Sequence, residues 1–129
     1  MWVVEGSEKV PLHIRKAVND RGLRRLFSVA SVWEMAIKIA IEKLALQHGD
    51  LNDFLEVLDK NSVELVPVRS REASDVATLP SVHQQAASGA GGRHQDPFDR
   101  LIAAQCLRYD LTLVSVDKQF DAYGVRRVW

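Results

Sequence analysis

The run Leu-Thr-Leu-Val-Ser-Val at residues 111–116 constrains this chain more than any other stretch. It is continuous, apolar and rich in β-formers, which predicts a strand buried on both faces, as strands of parallel sheets are. An apolar helical pattern from Pro97 to about Arg108 comes immediately before it. Parallel neighbours cannot be joined by a hairpin and need a crossover, so a helix leading straight into such a strand is the repeating unit of an α/β sheet.

The rest of the chain repeats that alternation. Val10-Pro11 marks a helix start, followed by the stripe Ile14, Ala17, Val18 and ended by Asn19, Asp20 and Gly22. Leu26–Val29 reads as a short buried strand. A helix follows from Ser31, with Trp33, Ala36, Ile37, Ala40, Ile41 and Leu44 at helical spacing until Gly49 and Asp50 break it. Asp50 is the expected N-cap of the next helix, which carries Leu51, Phe54, Leu55 and Leu58. Val63–Val68 is a strand whose end Pro67 puts at an edge or beyond the ladder. Ser70 is the expected cap of a short helix with Ala73, Val76 and Ala77, stopping before Pro80. Residues 83–95, rich in glycine and small polar side chains, predict a surface loop. Asp117 sits at the carboxyl end of the 111–116 strand, a turn or helix through Phe120 and Tyr123 ends at Gly124, and Val125–Trp129 forms a last strand. With no repeat and no linker, the expectation is one α/β domain over residues 1–129 with a mainly parallel sheet.

Composition narrows the function. The 17 basic and 17 acidic side chains cancel, so no global positive field favours wrapping around a duplex. The single cysteine, Cys106, falls inside an apolar helical pattern, which rules out a disulfide framework or a cysteine zinc site and fits a reducing cytoplasm. No stretch approaches the roughly 20 apolar residues that span a bilayer, and Met1–Val10 lacks a targeting pattern, so a cytoplasmic protein is expected. The glycine-rich segment lacks a Gly-Lys-Ser/Thr ending, which excludes a P-loop.

Open α/β sheets place their sites outside the carboxyl ends of the strands, and several carboxylates fall there. Glu34 is expected in the first turn of the helix after the Leu26 strand, Asp96 and Asp99 at the start of the Pro97 helix, and Asp117 past the Leu111 strand. Hard oxygen donors suit Mg2+ or Mn2+. Each residue also has a structural reading: Glu34 in a capping box with Ser31, Asp96 as the N-cap before Pro97, Asp99 in the field of the helix dipole, Asp117 as a turn initiator. His83, His94 and Asp96 together form a weaker zinc alternative, whereas His13 and His48 read as surface residues.

The segments SVASVWEMAIK, DPFDRLIAAQCL and LTLVSVDKQFDAYGV, with the final tryptophan, resemble the PIN-domain family, specifically the VapC-like toxins of bacterial toxin–antitoxin pairs. The resemblance implies a three-layer α/β sandwich with a mainly parallel central sheet flanked by helices. It implies an Mg2+- or Mn2+-dependent ribonuclease, usually a homodimer, held inactive by a VapB-like antitoxin. Of the family's acidic quartet, Glu34 matches the second position, Asp99 the third and Asp117 the fourth. Asp96 matches an additional aspartate of the DPFDR subgroup, a second-shell or capping residue, and Arg100 belongs to the same pattern. Ser115 is placed to offer a hydroxyl beside Asp117, and Arg93, Arg100 and Lys118 are candidate contacts to RNA phosphates. The family's opening strand, with its Leu-Leu-Asp-Thr-His and first acidic residue, has no counterpart here, since Met1-Trp2-Val3-Val4 matches only the end of the helix after it. Weak or absent nuclease activity is therefore expected of these 129 residues. The competing expectation is a non-catalytic PIN scaffold that binds an antitoxin-like peptide or its own twin. The glycine-rich segment is a second departure, because relatives pass almost directly from Leu-Pro to DPFDR.

Overall fold

The computed structural model describes residues 9–80 and 96–129. In chain order its elements are α1 (Leu12–Asn19), β1 (Arg25–Ser28), α2 (Val29–Ala40), α3 (Leu51–Lys60), β2 (Val63–Val66), α4 (Ser70–Asp75), a 3-10 turn (Val76–Thr78), α5 (Pro97–Arg108), β3 (Leu113–Val114), a 3-10 helix (Lys118–Tyr123) and β4 (Arg127–Val128). They divide between two compact units, Asp20–Val68 and Met1–Asn19 with Arg69–Trp129. The expectations for Met1–Val4 and for the 83–95 loop lie outside the described residues.

In the unit Asp20–Val68, β1 and β2 pair in parallel from Arg25↔Val63 to Ser28↔Val66. Pro67 falls just past the ladder, where its missing N–H costs no strand hydrogen bond. Helix α2 starts three residues earlier than its sequence pattern suggests. Ser28, still extended at φ −74°, accepts the Ala30 N–H with its side chain, so Ser28 takes the N-cap role expected of Ser31. The Ser31–Glu34 capping box is therefore not formed, and Glu34 sits in the second turn rather than the first. The helix also stops short of Leu44. Glu42 adopts a left-handed φ of 58°, its N–H reaches the Ile39 carbonyl at 3.0 Å, and the Lys43 N–H reaches the Lys38 carbonyl at 2.8 Å. This closes the last turn without the glycine that normally announces such an ending.

Helix α3 follows the expected plan. The Asp50 side chain accepts from Asn52 at 2.7 Å and Asp53 at 3.1 Å, and Asp53 returns a bond to the Asp50 N–H at 2.7 Å. Its apolar face buries Leu58 and sets Phe54 edge-on to Phe27 of β1, centroids 5.6 Å apart.

The second unit has a core of Ala103, Cys106, Phe120, Tyr123 and Val125, with Leu79, Ile102, Leu111 and Leu113 packed against it. Truncating a core aromatic such as Phe120 to alanine costs on the order of 3–5 kcal/mol. Three expectations are corrected here. The 111–116 run is not buried on both faces: only Leu113–Val114 pair, parallel to Arg127–Val128, while Val114 and Val116 are 37% and 55% exposed. Burial alternates along it, because Leu111 and Leu113 pack against the core cluster on one face while Val114 and Val116 lie on the other. The last strand likewise shortens from Val125–Trp129 to Arg127–Val128. In α4 the N-cap position belongs to Arg69, and Ser70 is already helical.

Candidate metal-binding carboxylates

The start of α5 separates two neighbouring aspartates. Asp96 is extended, at φ −60° and ψ 115°, and precedes Pro97 at the first helical position. Its Oδ1 accepts the Phe98 N–H at 2.9 Å and the Asp99 N–H at 3.2 Å. Proline has no N–H to satisfy, so one carboxylate oxygen covers the first two donors the helix presents. Asp99, at the third helical position and partly buried, carries its carboxylate in the first turn, where acidic side chains suit the helix dipole.

Next to it, the Arg100 guanidinium turns back into its own unit. Nη2 donates to the Val76 carbonyl at 2.8 Å, and the group lies 5.8 Å from the centroid of the Tyr123 ring, within cation–π range. Arg100 thus ties α5 to the 3-10 turn and to the core aromatic.

Asp117 caps the 3-10 helix after β3. Its Oδ1 accepts the Gln119 N–H at 2.9 Å, and its own N–H donates to the Ser115 hydroxyl at 3.1 Å. The Ser115 hydroxyl therefore orders the backbone of Asp117. Lys118 follows as an exposed first residue of that helix.

Glu34 stands in the other unit, its side chain 24% exposed and ion-paired with Lys38 one turn on. A helix pair of this kind contributes about 0.3–0.5 kcal/mol. Even millimolar metal binding corresponds to about 4 kcal/mol, so the lysine is no barrier to a cation. Arg93, His83 and His94 lie outside the described residues. Among the described residues no group of three or more histidine, cysteine, aspartate or glutamate side chains is gathered where it would hold a metal ion.

The donor set itself suits a hard cation. Asp96 and Asp117 each spend Oδ1 on a helical cap, and among the described residues Oδ2 of each accepts no hydrogen bond. A carboxylate fixed through one oxygen presents the other in a defined direction, which is what octahedral Mg2+ or Mn2+ asks of its ligands.

Two residues of this unit escaped the sequence reading. Glu72, fully buried, accepts the Arg69 N–H at 2.6 Å and the Tyr109 hydroxyl. The tyrosine hydroxyl, above all, holds its carboxyl below the usual range despite burial. Beside it, Arg108 grips Asp75 through two bonds of 2.6 and 2.9 Å. Together these ties lash α4 to α5. The signal for Glu72 was its place three residues after Arg69, obscured by the better-looking cap at Ser70. Arg127 is the other. Alternation along Val125–Trp129 sets Val125 and Arg127 on one face, and the Arg127 side chain is only 13% exposed against 62% for Arg126. A charge on the inward face of a strand signals an ion-pair partner, here Asp121, whose own side chain is 55% exposed.

Compared with known proteins, residues 1–125 match the family model described as PIN domain. No curated protein matches the chain, and no solved structure does.

Proposed function

The chain belongs to the PIN domain family, a family of metal-dependent nucleases that use divalent ions and act on RNA, and on that premise we propose that it is a VapC-like ribonuclease of a toxin–antitoxin pair. Its α/β composition, with short parallel strands between helices, is that of the family. In this reading Glu34, Asp99 and Asp117 hold Mg2+ or Mn2+, within a single domain spanning the chain. Bound there, the ion lowers the pKa of an attacking water and neutralises charge on the scissile phosphate.

The protein's own groups do the rest. Asp96 fixes the first turn of α5, which sets where Asp99 points, and Ser115 fixes the backbone of Asp117. Lys118 and Arg93 meet RNA phosphates. Arg100, bonded to Val76 and lying over Tyr123, holds the helix start and contributes its charge to the same surface. The partners are RNA, a VapB-like antitoxin and a second copy of the chain.

The observation that supports this best is the division of labour at the DPFDR segment. The cap is accounted for by Asp96 alone, so the second carboxylate one turn inward is not needed for helix initiation. The test is Mn2+ titration calorimetry on the whole chain and on Asp99→Asn, with RNA cleavage followed in parallel. Saturable binding that Asp99→Asn abolishes supports the reading. No binding at millimolar Mn2+ overturns it in favour of a non-catalytic PIN scaffold that binds a peptide or its twin.

A further inference from the structure

Arg127 lies two residues past the segment that matches the family, yet it is wired to the turn that carries Asp117. Its Nε and Nη2 donate to the two carboxylate oxygens of Asp121 at 2.8 and 3.1 Å, and Nη1 donates to the Ser115 carbonyl at 2.9 Å. The Ser115 N–H is held by the carbonyl of the next residue in β4, Val128, at 3.2 Å. Both backbone groups of Ser115 are therefore fixed from one strand. Ser115 in turn receives the Asp117 N–H on its hydroxyl, and Asp117 receives the Gln119 N–H on Oδ1. One guanidinium thus ties together residues 115 and 121, the two ends of the segment with Asp117 between them.

We propose that Arg127 is a positioning residue for the metal-holding carboxylate of Asp117, acting through Ser115 and Asp121; this rests on the assignment of Asp117 as a metal ligand made above. Three bonds in two directions need a planar fork with separate donors, and a lysine ammonium on its flexible stem cannot make the same set. The role opposes simple electrostatics. A cation near Asp117 repels a metal ion, so as a mere charge Arg127 would weaken metal binding, and its loss would tighten it. As a positioning residue its loss weakens binding even when the charge is kept.

The experiment uses the whole chain with Arg127→Lys, alone and combined with Asp117→Asn, and two measurements. In the metal-free protein, hydrogen exchange at the Asp117 and Gln119 amides should quicken about tenfold as charge-assisted bonds are lost, while the Tyr109 amide at the end of α5 stays as protected as before. In Mn2+ titrations the affinity should fall about 10- to 100-fold, the usual cost of losing a group that orients a ligand. With Asp117→Asn already present, Arg127→Lys should change affinity no further. Asp121→Asn, which keeps the shape and one acceptor, should move both measurements the same way by less, and serves if the arginine variant folds poorly. Unchanged exchange at Asp117 and Gln119, tighter Mn2+ binding, or an equal loss of affinity with and without Asp117 overturns the proposal. If Asp117→Asn itself leaves Mn2+ affinity at the wild-type value while Arg127→Lys still loosens the turn, the assignment of Asp117 as ligand falls, and this role of Arg127 with it.

Discussion

Replacing Asp96 by alanine tests whether the two aspartates of the DPFDR segment do different work. Asp96 Oδ1 accepts the N–H groups of Phe98 and Asp99 at 2.9 and 3.2 Å. Proline supplies no donor at the first position, so these are the amides a cap must satisfy, and alanine leaves both to water or to nothing. Loss of such a cap costs about 1 kcal/mol, reaching about 2 when the freed amides are partly buried, as these are. For a chain of this length, each kcal/mol lowers Tm by roughly 3–5 °C.

Asparagine at the same place keeps an oxygen acceptor and should recover most of that loss, less about 0.3–1 kcal/mol of charge–dipole attraction. Asp99→Asn gives up no cap, since only the Asp99 backbone N–H takes part in it, so it should not incur the capping loss of Asp96→Ala. In Mn2+ titrations the order reverses: Asp99→Asn abolishes saturable binding, and Asp96→Asn leaves it within a few-fold. Thermal unfolding by circular dichroism and calorimetric titration of the same three variants read both axes. If Asp96→Asn weakens Mn2+ binding as much as Asp99→Asn does, the assignment of separate roles is wrong and Asp96 is itself a ligand.

Gly49 is held at φ 66°, and a Cβ there would lie 2.1 Å from Asp53 Oδ2, so Gly49→Ala forces apart the reciprocal cap of α3 and should cost about 1–3 kcal/mol in urea unfolding; a change under about 0.5 kcal/mol, the surface background, counts against this. Cys106 is 7% exposed, and burial pushes its thiol up to about 11. It should resist an aromatic disulfide reagent near neutral pH until denaturant is added, because the thiolate is the reactive form; immediate labelling of the native protein refutes the burial. The Arg108 guanidinium beside Asp75 and the Tyr109 hydroxyl on Glu72 hold these carboxyls below their usual range. Depressed folded-state values stabilise above the unfolded carboxylate pKa of about 4 and lose that contribution as pH falls through the folded values. Tm should therefore be flat from about pH 7 to 5 and fall below about 4, less steeply in Asp75→Asn; an equal acid slope in that variant refutes the link.

Much of the fold was legible because its signals are local. Asp50 before Leu51, and Asp96 before Pro97, announce helix starts through side chain and backbone chemistry within three residues. The misplacements arose where the deciding group was of the wrong type. Helices α2, α3 and α5 end on Glu42, Ser62 and Asp110 in the left-handed region, at φ 58°, 57° and 53°. None is glycine, so the apolar period of α2 ran on to Leu44 unopposed. Ser31 looked like a cap, but Ser28 met the end of β1 first. The 111–116 run looked buried on both faces because its composition is that of an interior strand. Its alternating burial follows from packing only one face, Leu111 and Leu113, against the core, which composition does not encode.

At the candidate site each carboxylate carries both a capping and a metal-ligand reading in the sequence, and on the proposed reading the two are compatible. A metal ligand must be ionised, fixed in direction and left with an oxygen to give. The Gln119 N–H on Asp117 Oδ1 fixes direction while occupying one oxygen of two. On the proposed reading, capping is then a means of preparing a ligand. On that reading the same result at α5 comes from two residues, with Asp96 organising the turn and Asp99 carried on it. The residue that braces Asp117 could not be read from any motif, because Arg127 acts through Ser115 and Asp121, across 12 positions to Ser115 and 6 to Asp121. Only an arginine on the inward side of a strand gave it away. Residues that ligate leave motifs because their chemistry is fixed, whereas residues that hold ligands in place can be supplied by any strand the fold brings near.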